Sequence, residues 1–132
     1  MDTITAHSPI VGLATVAIPV ADQDRALAFY TGPLGLETRR DVLVPNGPRW
    51  IEVSPQGDPG TTIALIRAGD EVPAGVETGI RLVTHAADSL RADLMEHGVD
   101  VGVVLRWPGV PAMFEFRDPD GNRLEIIEEP SA

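Results

Sequence analysis

The sequence predicts an α+β domain built from two copies of a βαβββ unit. Short runs of β-branched and apolar residues alternate with turn clusters rich in glycine and proline, and two of the runs are followed by a helical pattern. The order strand, helix and three strands occurs twice, with the copies about 63 residues apart. We therefore expect each unit to form one strongly curved sheet. Together the two units should form a curved mixed sheet around a cavity, which inward-facing side chains of both units line.

Composition narrows the class of protein before any motif is considered. A length of 132 residues suits one domain, and the absence of cysteine excludes disulfides, thiolate nucleophiles and cysteine metal sites. The net charge of −10 argues against binding to nucleic-acid phosphates. No apolar run approaches the ~20 residues of a membrane span, and no secretion leader is evident. We expect a cytoplasmic protein that binds neither membrane nor nucleic acid.

The first unit begins with a strand over Leu13–Val20 that is rich in β-branched residues. Asp22 is expected to cap a helix over Asp24–Tyr30, and the spacing of Ala26, Phe29 and Tyr30 places these three side chains on one buried face. Turn residues then separate three further predicted strands: Glu37–Val44, Arg49–Ser54 and Thr62–Arg67.

The second unit follows a polar linker rich in glycine and proline. A strand is predicted over Thr78–His85, and Asp88 is expected to cap a helix that continues through Glu96, with Leu90 and Leu94 on its inner face. Three more strands complete the unit: Val99–Arg106, Ala112–Arg117 and Asn122–Glu128.

The last two strands form a β-hairpin around Asp118-Pro119-Asp120-Gly121. Proline suits the second position of a type I turn and glycine suits the residue after the bend. In the strand after this turn, alternation puts Glu125 on one face and Leu124 and Ile126 on the other.

Four segments together resemble the vicinal-oxygen-chelate superfamily, which includes glyoxalase I, the fosfomycin- and bleomycin-resistance proteins and the extradiol dioxygenases. The segments are Val20-Ala21-Asp22, Ala26-Leu27-Ala28-Phe29-Tyr30, Leu34-Gly35-Leu36-Glu37 and Asp118-Pro119-Asp120-Gly121-Asn122-Arg123-Leu124-Glu125. The resemblance covers roughly residues 12–129. It implies one domain over residues 1–132, with repeat one at about 12–67, a linker at 68–76 and repeat two at about 77–129.

The resemblance also implies where a metal would bind. Metal-using members place His or Glu at one position on the first and last strand of each repeat, and these positions correspond to Thr15, Ala64, Gly79 and Glu125. Alanine and glycine offer no ligand atom in a side chain, so we expect no metal and no other cofactor. The alternative is a divalent ion held by Glu52, Glu115 and Glu125 instead.

Strand alternation predicts which side chains line the cavity. The candidate ligand-binding residues are Thr15, Trp50, Glu52, Arg81, Met113, Glu115 and Glu125. Arg81 is expected to pair with Glu125, which leaves the other two carboxylates to hold a cation stacked on Trp50. Crowding of like charges is expected to raise the pKa of at least one carboxyl. In the simpler interpretation Glu125 only pairs with a neighbouring arginine and Trp50 only packs in the core.

Two functions of different classes follow from this site. The first is a protein of the bleomycin-resistance type that binds and sequesters a cationic or aromatic small molecule without a metal, as in antibiotic resistance. The second is a lyase, isomerase or dioxygenase-like enzyme with Glu125 or Glu115 as general base and Arg81 stabilising an oxyanion, with or without a divalent metal. A scaffold with a filled cavity is the third possibility. The resemblance implies a homodimer, with the cavity within one chain or between two.

Overall fold

The computed structural model describes residues 9–130. The first unit of the fold lies in the N-terminal half of the chain. Its strands agree closely with the predicted ones, except that the first begins two residues later than expected. The elements are β1 (Thr15–Val20), α1 (Gln23–Thr31), β2 (Glu37–Leu43), β3 (Arg49–Ser54) and β4 (Thr62–Arg67).

The second unit has the same order of elements with one extra break. Its elements are β5 (Glu77–Thr84), α2 (Ala87–Glu96), β6 (Asp100–Val101), β7 (Leu105–Trp107), β8 (Val110–Arg117) and β9 (Arg123–Glu128). The prediction of one continuous strand over Val99–Arg106 is therefore wrong. The break begins at Gly102, whose backbone N–H donates to Glu115 O at 2.8 Å while its carbonyl accepts from Arg91 Nε at 2.6 Å. The Gly102 carbonyl thus bonds to a side chain of α2, and the pairing of β6 with β8 goes no further.

The topology repeats between the two units. The first sheet has the order β1-β4-β3-β2, and the second has the order β5-β9-β8-β6, with β7 also paired to β8. In each sheet the first and last strands of the unit, β1 with β4 and β5 with β9, are parallel neighbours, and the other pairs are antiparallel. Two βαβββ units and the α+β class are thus confirmed.

Helix α1 forms as the sequence predicts. The carboxylate of Asp22 accepts a hydrogen bond from Arg25 N at 3.0 Å and so caps the first turn. Ala26 and Tyr30 are fully buried and Phe29 is half-buried, because this face of the helix packs on the first sheet.

Helix α2 has a different cap from the expected one. Asp88 lies inside the first turn and makes an ion pair with Arg106 at 2.5 Å, so its assignment as N-cap is wrong. The N-cap position is Ala86, which has no side-chain acceptor, and Glu128 of β9 accepts from Ala87 N at 2.9 Å instead. The cap is supplied by a residue 41 positions away, which no local sequence pattern reveals.

One face of each sheet is buried with the helices in a single core. The core includes Ile18, Ile51 and Leu65 from the first unit and Phe114 and Ile126 from the second. Because side chains alternate along each strand, the other face of each sheet points away from the helices. We call these two surfaces the open faces, and they carry every candidate site residue predicted from the sequence.

A buried polar cluster joins the two units at the β8–β9 turn. Tyr30 Oη donates to Asp118 Oδ2 at 2.8 Å, and Asn122 Nδ2 donates to Pro19 O at 2.8 Å. Burial and the charge of Asp118 raise the pKa of Tyr30 well above its ordinary value, so the phenol stays protonated and donates. The turn that predicts the hairpin therefore also ties the second unit to α1 and β1.

None of the helices within residues 9–130 has the length and apolar character needed to cross a membrane.

Candidate functional site

The open face of the first sheet carries a short hydrogen-bonded network around Glu52. Trp50 Nε1 donates to Glu52 Oε2 at 2.6 Å, and Thr62 Oγ1 donates to Glu52 Oε1 at 2.7 Å. Arg40 lies opposite Glu52 on β2, with its Nε 4.0 Å from the carboxylate. The indole ring is thus fixed on the sheet surface by a bond at its edge, while the ring itself is half-buried.

These bonds decide the charge of Glu52. The hydrogen bond from Thr62 and then that from Trp50 hold the pKa of the Glu52 carboxyl below its ordinary value, and Arg40 adds to the effect. Glu52 is therefore ionised at neutral pH. The expectation that like-charge crowding raises a carboxyl pKa is wrong at Glu52, because its nearest groups are donors rather than other acids.

The open face of the second sheet carries paired charges. The predicted pair is present: Arg81 lies in register with Glu125, and the Arg81 Nε to Glu125 Oε1 distance is 3.0 Å. A second pair joins Arg123 Nη1 to Glu115 Oε2 at 2.7 Å, and Arg123 also contacts the carboxylate of Glu77. The expectation that Glu115 stays free for a cation is therefore wrong, since Arg123 projects from the same face two residues before Glu125.

An open cleft of about 370 Å³ lies on the second sheet beside these pairs. Its apolar lining comes from Val103, Leu105 and Met113, and its polar lining comes from Glu115 and Glu125. Met113, Glu115 and Glu125 were predicted from alternation. Val103 and Leu105 were not, because the break at Gly102 changes which residues of this segment point to the open face.

The carboxylates of the two open faces do not line a common cleft within one chain. A second cleft, of about 460 Å³, lies between the units, but its apolar lining includes Val16, Ile63, Ile80 and Leu82 from the helix-facing side, with Arg81 at its polar edge. The hydrogen bonds of Glu52 stay within the first unit, and those of Glu115 and Glu125 stay within the second. The prediction that three carboxylates share one interior is wrong for a single chain.

The positions that carry metal ligands in the resemblance do not fit a metal here. Thr15 is half-buried on β1, Ala64 is fully buried on β4, and Gly79 lies at an irregularity of β5 with φ of 72°. Only Glu125 has a ligand atom of the usual type, and it is paired with Arg81. No group of three or more His, Asp or Glu within residues 9–130 is placed to hold a metal ion.

Comparison with protein families identifies a matching family model. The family model described as "Glyoxalase/Bleomycin resistance protein/Dioxygenase superfamily" matches residues 12–126. No curated protein matches the chain.

Solved structures with the same fold include an antibiotic binding protein, TnmS3 from Streptomyces sp. CB03234. It is 31% identical, with 95% of this chain and 100% of that chain covered and a TM-score of 0.82. A member of the glyoxalase/bleomycin resistance protein/dioxygenase superfamily from Sphaerobacter thermophilus DSM 20745 is 35% identical, with 91% and 98% covered and a TM-score of 0.81. The fosfomycin resistance protein FosX from Listeria monocytogenes is 18% identical, with 91% and 94% covered and a TM-score of 0.71, and shows likeness of fold alone.

Proposed function

Because this chain belongs to the glyoxalase/bleomycin resistance protein/dioxygenase superfamily, we propose that it binds and sequesters a small organic molecule on its open faces without the superfamily's usual metal site. The observation that carries this proposal is the set of residues at the four metal positions. Only Glu125 supplies a carboxylate, since the other three positions are Thr15, Ala64 and Gly79. That carboxylate is paired with Arg81. Binding by shape and stacking needs no metal, whereas the chemistry of metal-dependent members does.

The similarity to an antibiotic binding protein supports a binding role. TnmS3 is aligned over its whole length with this chain, and its description names binding rather than a reaction. We propose that the ligand of this chain likewise contains an aromatic part. Trp50 offers an indole ring whose orientation is held by Glu52, and Met113 offers a polarizable wall on the other open face.

We further propose that two copies of the chain complete the site. Apolar side chains are exposed on or beside the strands of the open faces, among them Val83, Leu105, Trp107 and Val110. Exposed apolar side chains of this kind are typical of surfaces that another molecule covers. In a homodimer the first open face of one copy would meet the second open face of the other, which would bring Trp50 near the cleft lined by Met113. The cytoplasmic location expected from the sequence stays a prediction.

Calorimetric titration with planar aromatic antibiotics tests the binding function. We expect wild-type protein to bind at least one of them, and Trp50→Ala to weaken this binding about tenfold, the loss of ~1–2 kcal/mol of ring stacking. Trp50→Phe keeps an aromatic ring and should keep most of the affinity. No binding by the wild-type protein, together with a stoichiometric metal in the purified protein, would contradict the proposal.

The alternative of an enzyme with Glu125 as general base has less support. A general base must present its carboxylate to the substrate, and Glu125 Oε1 is already engaged by Arg81 Nε at 3.0 Å. Turnover of α-keto and enediol substrates by the wild-type protein, abolished in Glu125→Gln, would favour the enzyme. We expect no turnover in either protein.

A further inference from the structure

The charged groups of the open faces are unequally engaged. The carboxylates are Glu52, Glu77, Glu115 and Glu125, and each accepts at least one hydrogen bond from a protein donor. Glu52 is engaged through both oxygens. Glu115 and Glu125 are each paired with an arginine, so neither acid offers an uncompensated charge to a cationic ligand.

Two guanidinium groups of the second open face differ in how many of their donors are engaged. Arg123 uses its Nε and both of its Nη atoms on Glu77 and Glu115. Arg81 uses only its Nε, on Glu125, and within residues 9–130 neither of its Nη atoms has a hydrogen-bond partner. Its side chain remains 58% exposed. Arg81 thus keeps four N–H donors in a planar fork, the geometry that suits carboxylate and carbonyl oxygens.

The surroundings of Arg81 leave space for a ligand. An added Cβ at Gly79, two residues earlier on the same face of β5, would meet no atom within 4 Å. Glu125, the partner of Arg81, lines the cleft with apolar Val103, Leu105 and Met113. One acid, Asp58, also lines the inter-unit cleft near Arg81, and its Oδ1 accepts from Gly60 N at 2.8 Å.

We infer that the ligand is an aromatic molecule bearing acceptor oxygens, carboxylate or carbonyl, which Arg81 binds through its free Nη donors, and that it is not a cation. This inference rests on the proposed binding function and specifies its ligand class. The apolar cleft on the second sheet holds the ring system. Glu125 lies at the edge of this cleft, so a polar substituent of the ring can extend from there to Arg81. Glu125 orients the guanidinium and thus acts as a positioning residue.

Three probes with the same four-ring system test the inference: 1-pyrenecarboxylate, 1-pyrenemethanol and 1-pyrenemethylammonium, each titrated by fluorescence anisotropy at constant ionic strength. The protein has a net charge of −10, so non-specific attraction favours the ammonium probe. We expect the reverse order, with the carboxylate bound about tenfold more tightly than the ammonium, as one charge-assisted hydrogen bond would give.

Arg81→Gln tests the assignment to one residue. We expect it to reduce affinity for the carboxylate about tenfold while changing affinity for the neutral alcohol less than twofold. Arg106→Gln is the matched control, since it removes the same charge from a similarly exposed side chain that pairs with Asp88 and lines neither cleft. Arg106→Gln should bind all three probes as the wild type does.

The outcomes separate the two proposals. If none of the three probes binds, the proposed binding function and the ligand class fail together. If the probes bind but the ammonium binds as tightly as the carboxylate or more tightly, only the ligand class is overturned. If Arg81→Gln and Arg106→Gln lose carboxylate affinity equally, the preference comes from overall charge and Arg81 is not the anchor.

Discussion

Asn122 shows how one buried polar side chain can join distant parts of the chain. It is fully buried, and its Oδ1 accepts from Gly75 N at 2.9 Å and from Val76 N at 3.0 Å. Its Nδ2 donates to Pro19 O and to Asp118 Oδ2. The linker, the end of β1 and the β8–β9 turn therefore meet at one amide, and every polar atom of that amide is satisfied.

Replacing Asn122 with alanine should strongly destabilise the protein. Backbone donors at the linker and the carbonyl of Pro19 would be left buried without partners, so we expect Asn122→Ala to lower the free energy of unfolding by about 3 kcal/mol. Urea denaturation measures this. The exposed amide of Gln56, which makes one long bond to Gly35 O, is the control, and Gln56→Ala should cost less than about 0.5 kcal/mol. Equal losses in both variants would contradict the role of Asn122.

The lowered pKa of Glu52 predicts that the stability of the folded protein depends on pH. Its pKa is lowered in the folded protein by the bonds from Thr62 and Trp50, from an ordinary value of 4.5. The stabilisation is therefore complete above about pH 4.5 and is lost as the pH falls through the lower folded pKa. Free energies of unfolding measured between pH 3 and pH 7 should fall less steeply with acid in Glu52→Gln than in the wild type.

The acid dependence should become shallower in Glu52→Gln without disappearing. The pKa values of Asp41 and Glu77 are also lowered, by hydrogen bonds from Arg49 and Arg123 respectively, so these groups lose stabilisation over the same acidic range. Glu71→Gln, in the exposed linker, is the control and should keep the wild-type profile. An unchanged profile in Glu52→Gln would show that its hydrogen bonds contribute nothing to folding.

At the scale of elements, the two helices begin in different ways. Helix α1 is capped locally by Asp22, whereas α2 depends on Glu128 from the last strand. A negative group at a helix N-terminus also interacts favourably with the helix dipole. The start of α2 is thus coupled to the formation of β9. Asp88 has a residue type that often caps helices, but in this structure it does not cap α2.

A pair of alanine variants distinguishes the two possible caps. We expect Glu128→Ala to lower the free energy of unfolding by about 1 kcal/mol, the typical effect of removing a capping acceptor. Asp88→Ala removes an exposed ion pair with Arg106 and should cost less than about 0.5 kcal/mol. Chemical denaturation of both variants measures the difference, and a larger loss in Asp88→Ala would support the cap predicted from sequence.

At the scale of the whole molecule, both sheets turn their apolar faces inward and their candidate site residues outward. The core combines both units, so the open faces lie on the surface of the chain. This arrangement explains why Trp50 and Met113 line no common cleft in one copy, and it is the reason for proposing that a second copy completes the site.

The proposed dimer predicts a solution mass of twice the 14.1 kDa of one chain. Light scattering coupled to size exclusion measures this mass. Trp107→Glu should shift the protein toward monomer, because Trp107 is 54% exposed beside the open face of the second sheet. Met95→Glu introduces the same charge at a similarly exposed residue of α2 and should leave the dimer intact. A wild-type protein of single-chain mass would contradict the proposal.

Local patterns determined most of the fold. Alternation, the cap at Asp22 and the Asp118–Gly121 turn predicted both units and the hairpin, because each depends on residues close in the chain. Alternation also placed Arg81 and Glu125 on the same side of the predicted sheet, which is why their pairing was predicted correctly. Local signals did not reveal the interruption at Gly102, which depends on its contacts with Glu115 and Arg91.

The tertiary structure alone decided how the candidate site residues are grouped. Sequence patterns assign a side chain to one face of a strand, and they did so correctly for Glu52, Glu115 and Glu125. They cannot say which faces of two separate sheets meet, because that depends on how the helices and the buried Asn122 cluster pack the units together. The sequence alone determined which residues lie on the outward faces of the strands, and the packing of the units decided that their carboxylates are separately paired.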